Sequence, residues 1–154
     1  RPLNQHDLED IHTLIQPQVS KRRIQLDWSA AMPAELPAPA SLIRQILINL
    51  LLNAVQAAAE GGHVSLWLGR KDGSESCLSI VVCNDGVLLD DEQLAHLFEP
   101  FASSRSEGHG LGLWVTYQIV NQLEGRISAK NTNGQVEFVV NLPLGDTSCR
   151  AASV

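Results

Sequence analysis

The sequence predicts an α+β fold in which a mixed, mostly antiparallel sheet is covered on one face by helices, as a two-layer α/β sandwich. Three observations predict it. Helix-like and strand-like segments follow one another along the 154 residues. Two pairs of strand-like segments are joined by the tight-turn signals Asp72-Gly73 and Asn133-Gly134, which are typical of antiparallel hairpins. Each long helical segment carries an apolar stripe that has to be buried against the sheet.

Four segments have apolar residues three or four positions apart, as helices do. They are residues 7–20, 41–60, 91–97 and 111–123. Asp7 and Ser41 are the expected N-caps of the first two, because their side chains can accept from the unpaired N–H groups of a first turn. The second helix is expected to end before Gly61 and the last before Gly125, since glycine is common just beyond a helix.

Five segments are strand-like, being alternately or continuously apolar. They are residues 24–28, 63–70, 77–83, 126–131 and 135–142. Segment 32–39 contains three prolines and is expected to be a loop. We expect one domain over residues 1–145 and a flexible C-terminal tail over residues 146–154, where the chain becomes polar and small.

Composition excludes several classes of function. A net charge of −6 without a basic stripe argues against a nucleic-acid partner. No apolar run reaches the roughly 18 residues of a membrane span, since the longest, residues 46–59, is broken by Asn49, Asn53 and Gln56. The first residues are polar, so no leader peptide is expected. We therefore expect a cytoplasmic chain that makes no direct contact with a membrane.

Three alternating glycines, Gly108, Gly110 and Gly112, lead into the start of the last predicted helix. Glycine lets the backbone approach a ligand closely. A helix N-terminus adds unpaired N–H groups and the positive end of a dipole. Together these features favour a phosphate site, although the loop on its own also fits a simple flexible connection.

Two carboxamides, Asn49 and Asn53, lie four residues apart on the apolar second helix and therefore share one face. A buried amide without a partner costs about 1–3 kcal/mol, so something should satisfy them. One interpretation is a bound ligand with Mg²⁺, which accepts neutral oxygen ligands; the other is hydrogen bonding to a neighbouring loop. No carboxylate occupies this face to activate water, which favours holding ATP for transfer over hydrolysing it.

Taken in order, these motifs resemble those of the catalytic and ATP-binding domain of bacterial two-component sensor histidine kinases, in the GHKL superfamily that also holds gyrase and MutL ATPases. Residues 45–54 resemble the N box, residues 97–101 (Leu-Phe-Glu-Pro-Phe) the F box and residues 108–113 the second glycine box. Val139, Asn141, Leu142 and Pro143 resemble the closing strand.

The resemblance implies the Bergerat fold, with ATP between the N-box helix and a lid over residues 98–110. By similarity Asn53 would ligate Mg²⁺, and Asn49 would stand where ATPase relatives carry a catalytic Glu. Gln56 and Arg105 would lie near the phosphates, with Asn49 and Arg105 in the catalytic role. The cofactor would also contact the glycine box, which comprises Gly108, His109, Gly110, Leu111, Gly112 and Leu113.

The first glycine box departs from the family pattern Asp-x-Gly-x-Gly, whose Asp accepts the adenine amino group. Asn84 stands at that Asp, Asp85 and Gly86 follow, and Leu88 replaces the second glycine. The Asn84 oxygen could still accept from adenine, or its NH₂ could repel the same partner. A shifted backbone could bring Asp85 in instead.

The resemblance implies a protein-histidine kinase domain that binds Mg-ATP and transfers the γ-phosphate to a histidine on a separate dimerisation domain. A response regulator would act downstream, and the domain would be the cytoplasmic part of a membrane-bound sensor kinase. None of the five histidines has the sequence context of a phosphoacceptor. The alternative is a nucleotide-weak, non-catalytic interaction module that keeps the fold and regulates its partner domain.

Overall fold

A computed structural model describes residues 1–30, 32, 35–71, 76–100 and 111–144. The helices are α1 (Gln5–Lys21), α2 (Ala40–Ala57), α3 (Asp91–Ala95) and α4 (Gly112–Gln122). The strands are β1 (Pro2–Leu3), β2 (Gln25–Ala30), β3 (Leu36–Pro39), β4 (His63–Arg70), β5 (Cys77–Asn84), β6 (Arg126–Thr132) and β7 (Gln135–Pro143).

The main sheet has five strands in the order β2-β4-β5-β7-β6. Strands β2 and β4 run parallel, and every other neighbouring pair in this sheet is antiparallel. The helices pack on one face of the sheet. The predicted fold class, a mixed and mostly antiparallel sheet in an α+β sandwich, is therefore confirmed.

One face of the sheet forms the floor of the core because its strands are in a register that aligns apolar side chains. Leu66 pairs with Val82, which pairs with Phe138, and all three are buried. Asn84 falls on the same face, since it lies two residues beyond Val82. It is the polar member of an otherwise apolar row, and this position brings it to the site described below.

Helix α2 is the central helix of the core and packs against α1, α4, β4 and β5. By length and composition, with a mean hydropathy of 1.3 over 18 residues, α2 would suffice for a membrane span. Counting only uninterrupted apolar runs in the sequence did not predict this. The buried side chains of α2, such as Ile46, Leu50 and Ala54, lie at helical spacing and contact the rest of the domain. The apolar character of α2 is thus accounted for by core packing.

Both predicted N-caps are wrong. Helix α1 begins one turn earlier, with Asn4 as its N-cap and Asp7 at the third position of the helix, where the two side chains form a reciprocal capping box. Helix α2 has Pro39 as its N-cap and no side-chain cap, so Ser41 lies inside the helix. Backbone pairing replaces a cap there, because the N–H of Ala40 donates to Arg1 O at 2.9 Å.

The sequence predicts that segment 32–39 is a loop, and this is only partly correct. Its last four residues form β3, which pairs antiparallel with β1 in a separate two-stranded sheet. The prolines are tolerated because Pro37 and Pro39 alternate with the buried residues Leu36 and Ala38 in a sheet of only two strands.

The predicted hairpin turn at Asn133-Gly134 is confirmed. Both residues have positive φ, 54° and 76°, as a two-residue turn of type I′ requires. The antiparallel pairing of β4 and β5 is confirmed as well, while the turn signal at Asp72-Gly73 lies outside the described residues. Helix α4 ends through Glu124, with φ of 60°, rather than through Gly125.

Candidate functional site

The candidate site lies between α2 and the N-terminal end of α4, with the segment after β5 at one end. Asn49 of α2 donates from Nδ2 to Thr116 Oγ1 at 3.2 Å and, more weakly, to the carbonyl oxygen of Gly112 at 3.5 Å. The buried Thr116 hydroxyl donates in turn to Gly112 O at 2.9 Å. These bonds fix the Asn49 amide nitrogen towards α4 and leave its oxygen as the group available to a ligand.

Asn53 lies one helical turn beyond Asn49 on the same face of α2. Its side chain is half-buried and makes no hydrogen bond to the described part of the chain, and the same holds for Gln56. The two interpretations of the amide pair, hydrogen bonding within the protein and binding of a ligand, therefore apply to different residues. Asn49 is partly satisfied by protein, whereas the carboxamides of Asn53 and Gln56 remain open.

Asn84 is the last residue of β5 and is 1% exposed. Its Oδ1 accepts from the N–H of Gly86 at 3.0 Å, which closes a short turn after the strand. A Cβ at position 86 would lie 1.9 Å from the carbonyl oxygen of Ala57. Glycine is therefore required where the chain leaves β5, because its backbone passes directly against the end of α2.

Asp85 is turned away from the group that Asn84 presents. Its Oδ2 accepts from the backbone N–H of His63 at 2.9 Å and lies 3.3 Å from Nδ1 of the same histidine. Its Oδ1 is buried without a hydrogen-bond partner within the described residues. The backbone shift that would bring Asp85 into the place of Asn84 is not found.

Side chains from other elements fix the segment between β5 and the F box. Asn131 of β6 forms two bonds to the backbone of Leu89, accepting from its N–H at 3.1 Å and donating to its carbonyl oxygen at 2.7 Å. Phe98 of the F box stacks on Tyr117 of α4 with ring centroids 5.7 Å apart, and meets Phe138 of β7 edge-on at 6.3 Å. The F box is thus attached to both α4 and the sheet.

Arg105 lies outside the described residues. The same is true of the first half of the second glycine box, Gly108, His109 and Gly110. Of the rest, Leu111 is the N-cap of α4 and 40% exposed, while Gly112 is the first helical residue. Leu113 is half-buried and packs on the core. The described portion therefore presents the N–H groups of the first turn of α4 beside Asn49.

Sequence reasoning missed Thr116, Asn131 and Arg22. Arg22 follows α1 and donates from Nε to Val55 O at 2.9 Å and from an Nη to Ala58 O at 2.6 Å, at the C-terminal end of α2. A positive charge is favourable at that end of a helix. A polar residue at a core-facing position, such as Thr116, could have been found from helical spacing, but the partners of Arg22 and Asn131 depend on tertiary structure.

A separate cavity of about 450 Å³ lies at the opposite end of α2. It is lined by Arg1, Ala40, Ser41, Arg44, Gln45 and Ile48. Gln45 and Ile48 fall within the N box, but none of the six is among the residues predicted to contact the nucleotide. Within the described ranges, no group of three or more His, Cys, Asp or Glu side chains could hold a metal ion.

Comparison with known proteins places this geometry in a family. The family described as "Histidine kinase-, DNA gyrase B-, and HSP90-like ATPase" matches residues 38–146. The sensor histidine kinase ZraS of Escherichia coli (strain K12) is 33% identical over 137 residues, covering 87% of this chain and 29% of that protein. The chain spans 17 to 29% of the length of the first curated relatives that it matches.

Solved structures share the fold. The catalytic domain of histidine kinase ThkA, in a nucleotide-free form, has a TM-score of 0.80 at 24% identity, covering 90% of this chain and 91% of that one. Histidine kinase ThkA in complex with response regulator protein TrrA has a TM-score of 0.76 at 22% identity, covering 92% of this chain and 40% of that one. The chain belongs to the histidine kinase-, DNA gyrase B- and HSP90-like ATPase family, as the ATPase domain of a sensor histidine kinase.

Proposed function

We propose that this domain binds Mg-ATP and transfers its γ-phosphate to a histidine on a separate dimerisation and phosphoacceptor domain. One observation carries the proposal. Helix α2 presents the carboxamides of Asn49 and Asn53, and no carboxylate, beside the N-terminal end of α4. The site therefore offers groups that bind a metal–phosphate unit but no side chain on α2 that could act as a base towards water.

Asn53 is the residue that would hold Mg²⁺. Its amide is half-buried and unbonded within the described chain, and a neutral oxygen is a suitable ligand for this ion. Because the described residues offer no cluster of acidic or histidine ligands, most of the coordination would come from phosphate oxygens and water. When bound, the ion would neutralise charge on the phosphates.

The phosphates would lie at the first turn of α4. Its N–H groups, including those of Leu111, Gly112 and Leu113, belong to a helix end that favours anions. We assign the same role to Gly108, His109 and Gly110, and phosphate contacts to Gln56 and Arg105. With Arg105, Asn49 would act catalytically by orienting the triphosphate indirectly: α4 already holds its nitrogen, so its amide oxygen is left to accept from water bound to the Mg²⁺ of Mg-ATP.

Transfer then depends on positioning and charge neutralisation. A ring nitrogen of the acceptor histidine would attack the γ-phosphorus as the bond to the β–γ bridging oxygen breaks, which leaves ADP. Because α2 offers no carboxylate to deprotonate water, hydrolysis would compete poorly. Residues 1–145 would form this catalytic domain, with 146–154 as a tail, in the cytoplasmic part of a sensor kinase whose phosphoryl group passes to a response regulator.

The test has a binding step and a transfer step. We expect isothermal titration of the chain with a β,γ-imido analogue of ATP to show binding that requires Mg²⁺ and that Asn53→Ala weakens. Asn133→Ala, in the β6–β7 turn, is the matched control and should leave the affinity unchanged. Mixing the chain with a histidine-containing hairpin domain and γ-labelled ATP should label the hairpin.

A non-catalytic interaction module is the second candidate, favoured by the amide at position 84 in place of the family's carboxylate. Such a module would keep the fold and regulate its partner domain without turnover. Absence of nucleotide binding at millimolar concentration, together with binding after Asn84→Asp, would favour this candidate over the kinase.

A further inference from the structure

Asn84 carries an unused hydrogen-bond donor at the end of the candidate site formed by β5 and the segment after it. Its Oδ1 accepts from the N–H of Gly86, whereas its Nδ2 donates to no described residue. In the described part of the chain, two side-chain atoms are both unpaired and completely buried: Asp85 Oδ1 and Asn141 Oδ1. Asn84 Nδ2 is unpaired but is not one of these two, so it is not completely buried. The 1% of Asn84 that remains exposed therefore includes its amide nitrogen.

The distance along α2 puts Asn84 at the base end of a bound nucleotide. Gly86, which Asn84 holds, lies against Ala57, and Ala57 is eight residues beyond Asn49. Eight residues of helix span about 12 Å. A triphosphate at the first turn of α4, opposite Asn49, would thus direct its base towards Asn84.

We propose that Asn84 admits purine nucleotides with a carbonyl group at C6, such as inosine triphosphate, alongside adenine nucleotides. This inference rests on the proposed function and specifies the base in that same site. The amide Nδ2 can donate to a 6-carbonyl oxygen, and in adenine it can donate to the unprotonated N1 beside the 6-amino group. A carboxylate at this position has only acceptors, so it would favour the 6-amino group of adenine and face the 6-carbonyl oxygen with like partial charge.

Rotation of the amide does not restore the selectivity of a carboxylate. Exchanging its oxygen and nitrogen would turn Nδ2 towards the N–H of Gly86, so that two donors would face each other. Asp85 supplies no replacement, because its Oδ2 is bound to His63 and its Oδ1 is buried. Discrimination at C6 therefore depends on the atom that Asn84 presents.

The experiment compares the β,γ-imido triphosphates of adenosine and inosine, which differ at the 6-position and the protonation of N1. Titrations use the full chain with Mg²⁺. We expect the two affinities to agree within about tenfold, and Asn84→Asp to increase the preference for adenosine by at least about tenfold, as one mismatched hydrogen bond would. Asn133→Asp makes the same chemical exchange in the β6–β7 turn and should change neither affinity.

Two results overturn the inference and leave the proposed function intact: a preference for adenosine above about tenfold in the unmodified chain, or a preference that Asn84→Asp leaves unchanged. Binding of neither analogue by the unmodified chain and by Asn84→Asp would overturn both proposals. If Asn84→Asp binds the adenosine analogue and the unmodified chain binds neither analogue, the inference is overturned and the interaction module is favoured.

Discussion

A Cβ at Gly86 would lie 1.9 Å from the carbonyl oxygen of Ala57, so the loop after β5 and the end of α2 are in backbone contact. This contact fixes the position of the loop relative to α2 beside Asn84. It also explains why the first glycine of the altered box is kept although Leu88 replaces the second. Leu88 is 44% exposed and faces no comparable restriction.

Gly86→Ala should separate the loop from α2, because backbone atoms cannot yield as a flexible side chain can. We expect a loss of about 2–3 kcal/mol in the free energy of unfolding, at the level of overpacking, and weaker binding of the ATP analogue. Urea denaturation and titration measure the two effects. Gly112→Ala is the control for stability, since a Cβ there meets nothing within 4 Å; a similar loss of stability in both variants would contradict this account.

Arg22→Gln should destabilise the domain through α2. The guanidinium is bonded to the carbonyl oxygens of Val55 and Ala58, which have no other partner among the described residues at this helix end. We expect a loss of about 2 kcal/mol, the usual magnitude for hydrogen bonds to a charged group, seen as a lower urea midpoint. Arg23→Gln, at the exposed neighbouring residue, should have little effect. Equal shifts in the two variants would show that charge alone matters.

Thr116→Val keeps the shape of the side chain but removes the hydroxyl that accepts from Asn49. Asn49 Nδ2 would then retain only the 3.5 Å contact to Gly112. We expect the affinity for the ATP analogue to fall by up to about tenfold, the equivalent of one hydrogen bond. Thr116→Ser keeps the hydroxyl and should retain the affinity. Equal affinity in the two variants would exclude a positioning role for Thr116.

Much of the fold could be predicted from the sequence because local pattern and tertiary packing agree. The helix pattern of α4 and the turn at Asn133 and Gly134 are local signals, and both were predicted within a few residues. Strand β3 was missed because its pairing with β1 joins segments more than 30 residues apart, which no local pattern encodes. The N-cap of α2 was missed for the same reason, since backbone pairing to Arg1 replaces a side chain.

Sequence motifs could identify residues of the candidate site, but they could not predict how the side chains are oriented or which partners they bond. Spacing brought Asn49 and Asn53 to one face, but it could not show that α4 holds one amide and leaves the other open. Likewise, the sequence left the roles of Asn84 and Asp85 undecided. Their hydrogen bonds to Gly86 and His63 separate the two, because orientation depends on partners brought together by folding.

Asp7 should make the stability of the domain depend on pH. It is 1% exposed and bonded to Arg1. Those bonds, with the N–H of Asn4 and the charge of Arg44, hold the pKa of its carboxyl well below its usual range. A carboxyl whose pKa is lower in the folded chain stabilises the fold above its unfolded pKa of about 4, and this contribution is lost as the pH falls towards the folded pKa.

Asp7→Asn should therefore lower the free energy of unfolding by about 2 kcal/mol at pH 7, because the arginines would lose their partner while Arg1 stays largely solvated. The difference from the unmodified chain should shrink as the pH falls below about 5. Urea denaturation at several pH values between about 7 and 2 measures it. Asp10→Asn is the matched control, since that carboxylate is 49% exposed and lies 3.5 Å from Arg44. A difference for Asp7→Asn that stays constant over this range would show that the carboxyl acts through packing rather than charge.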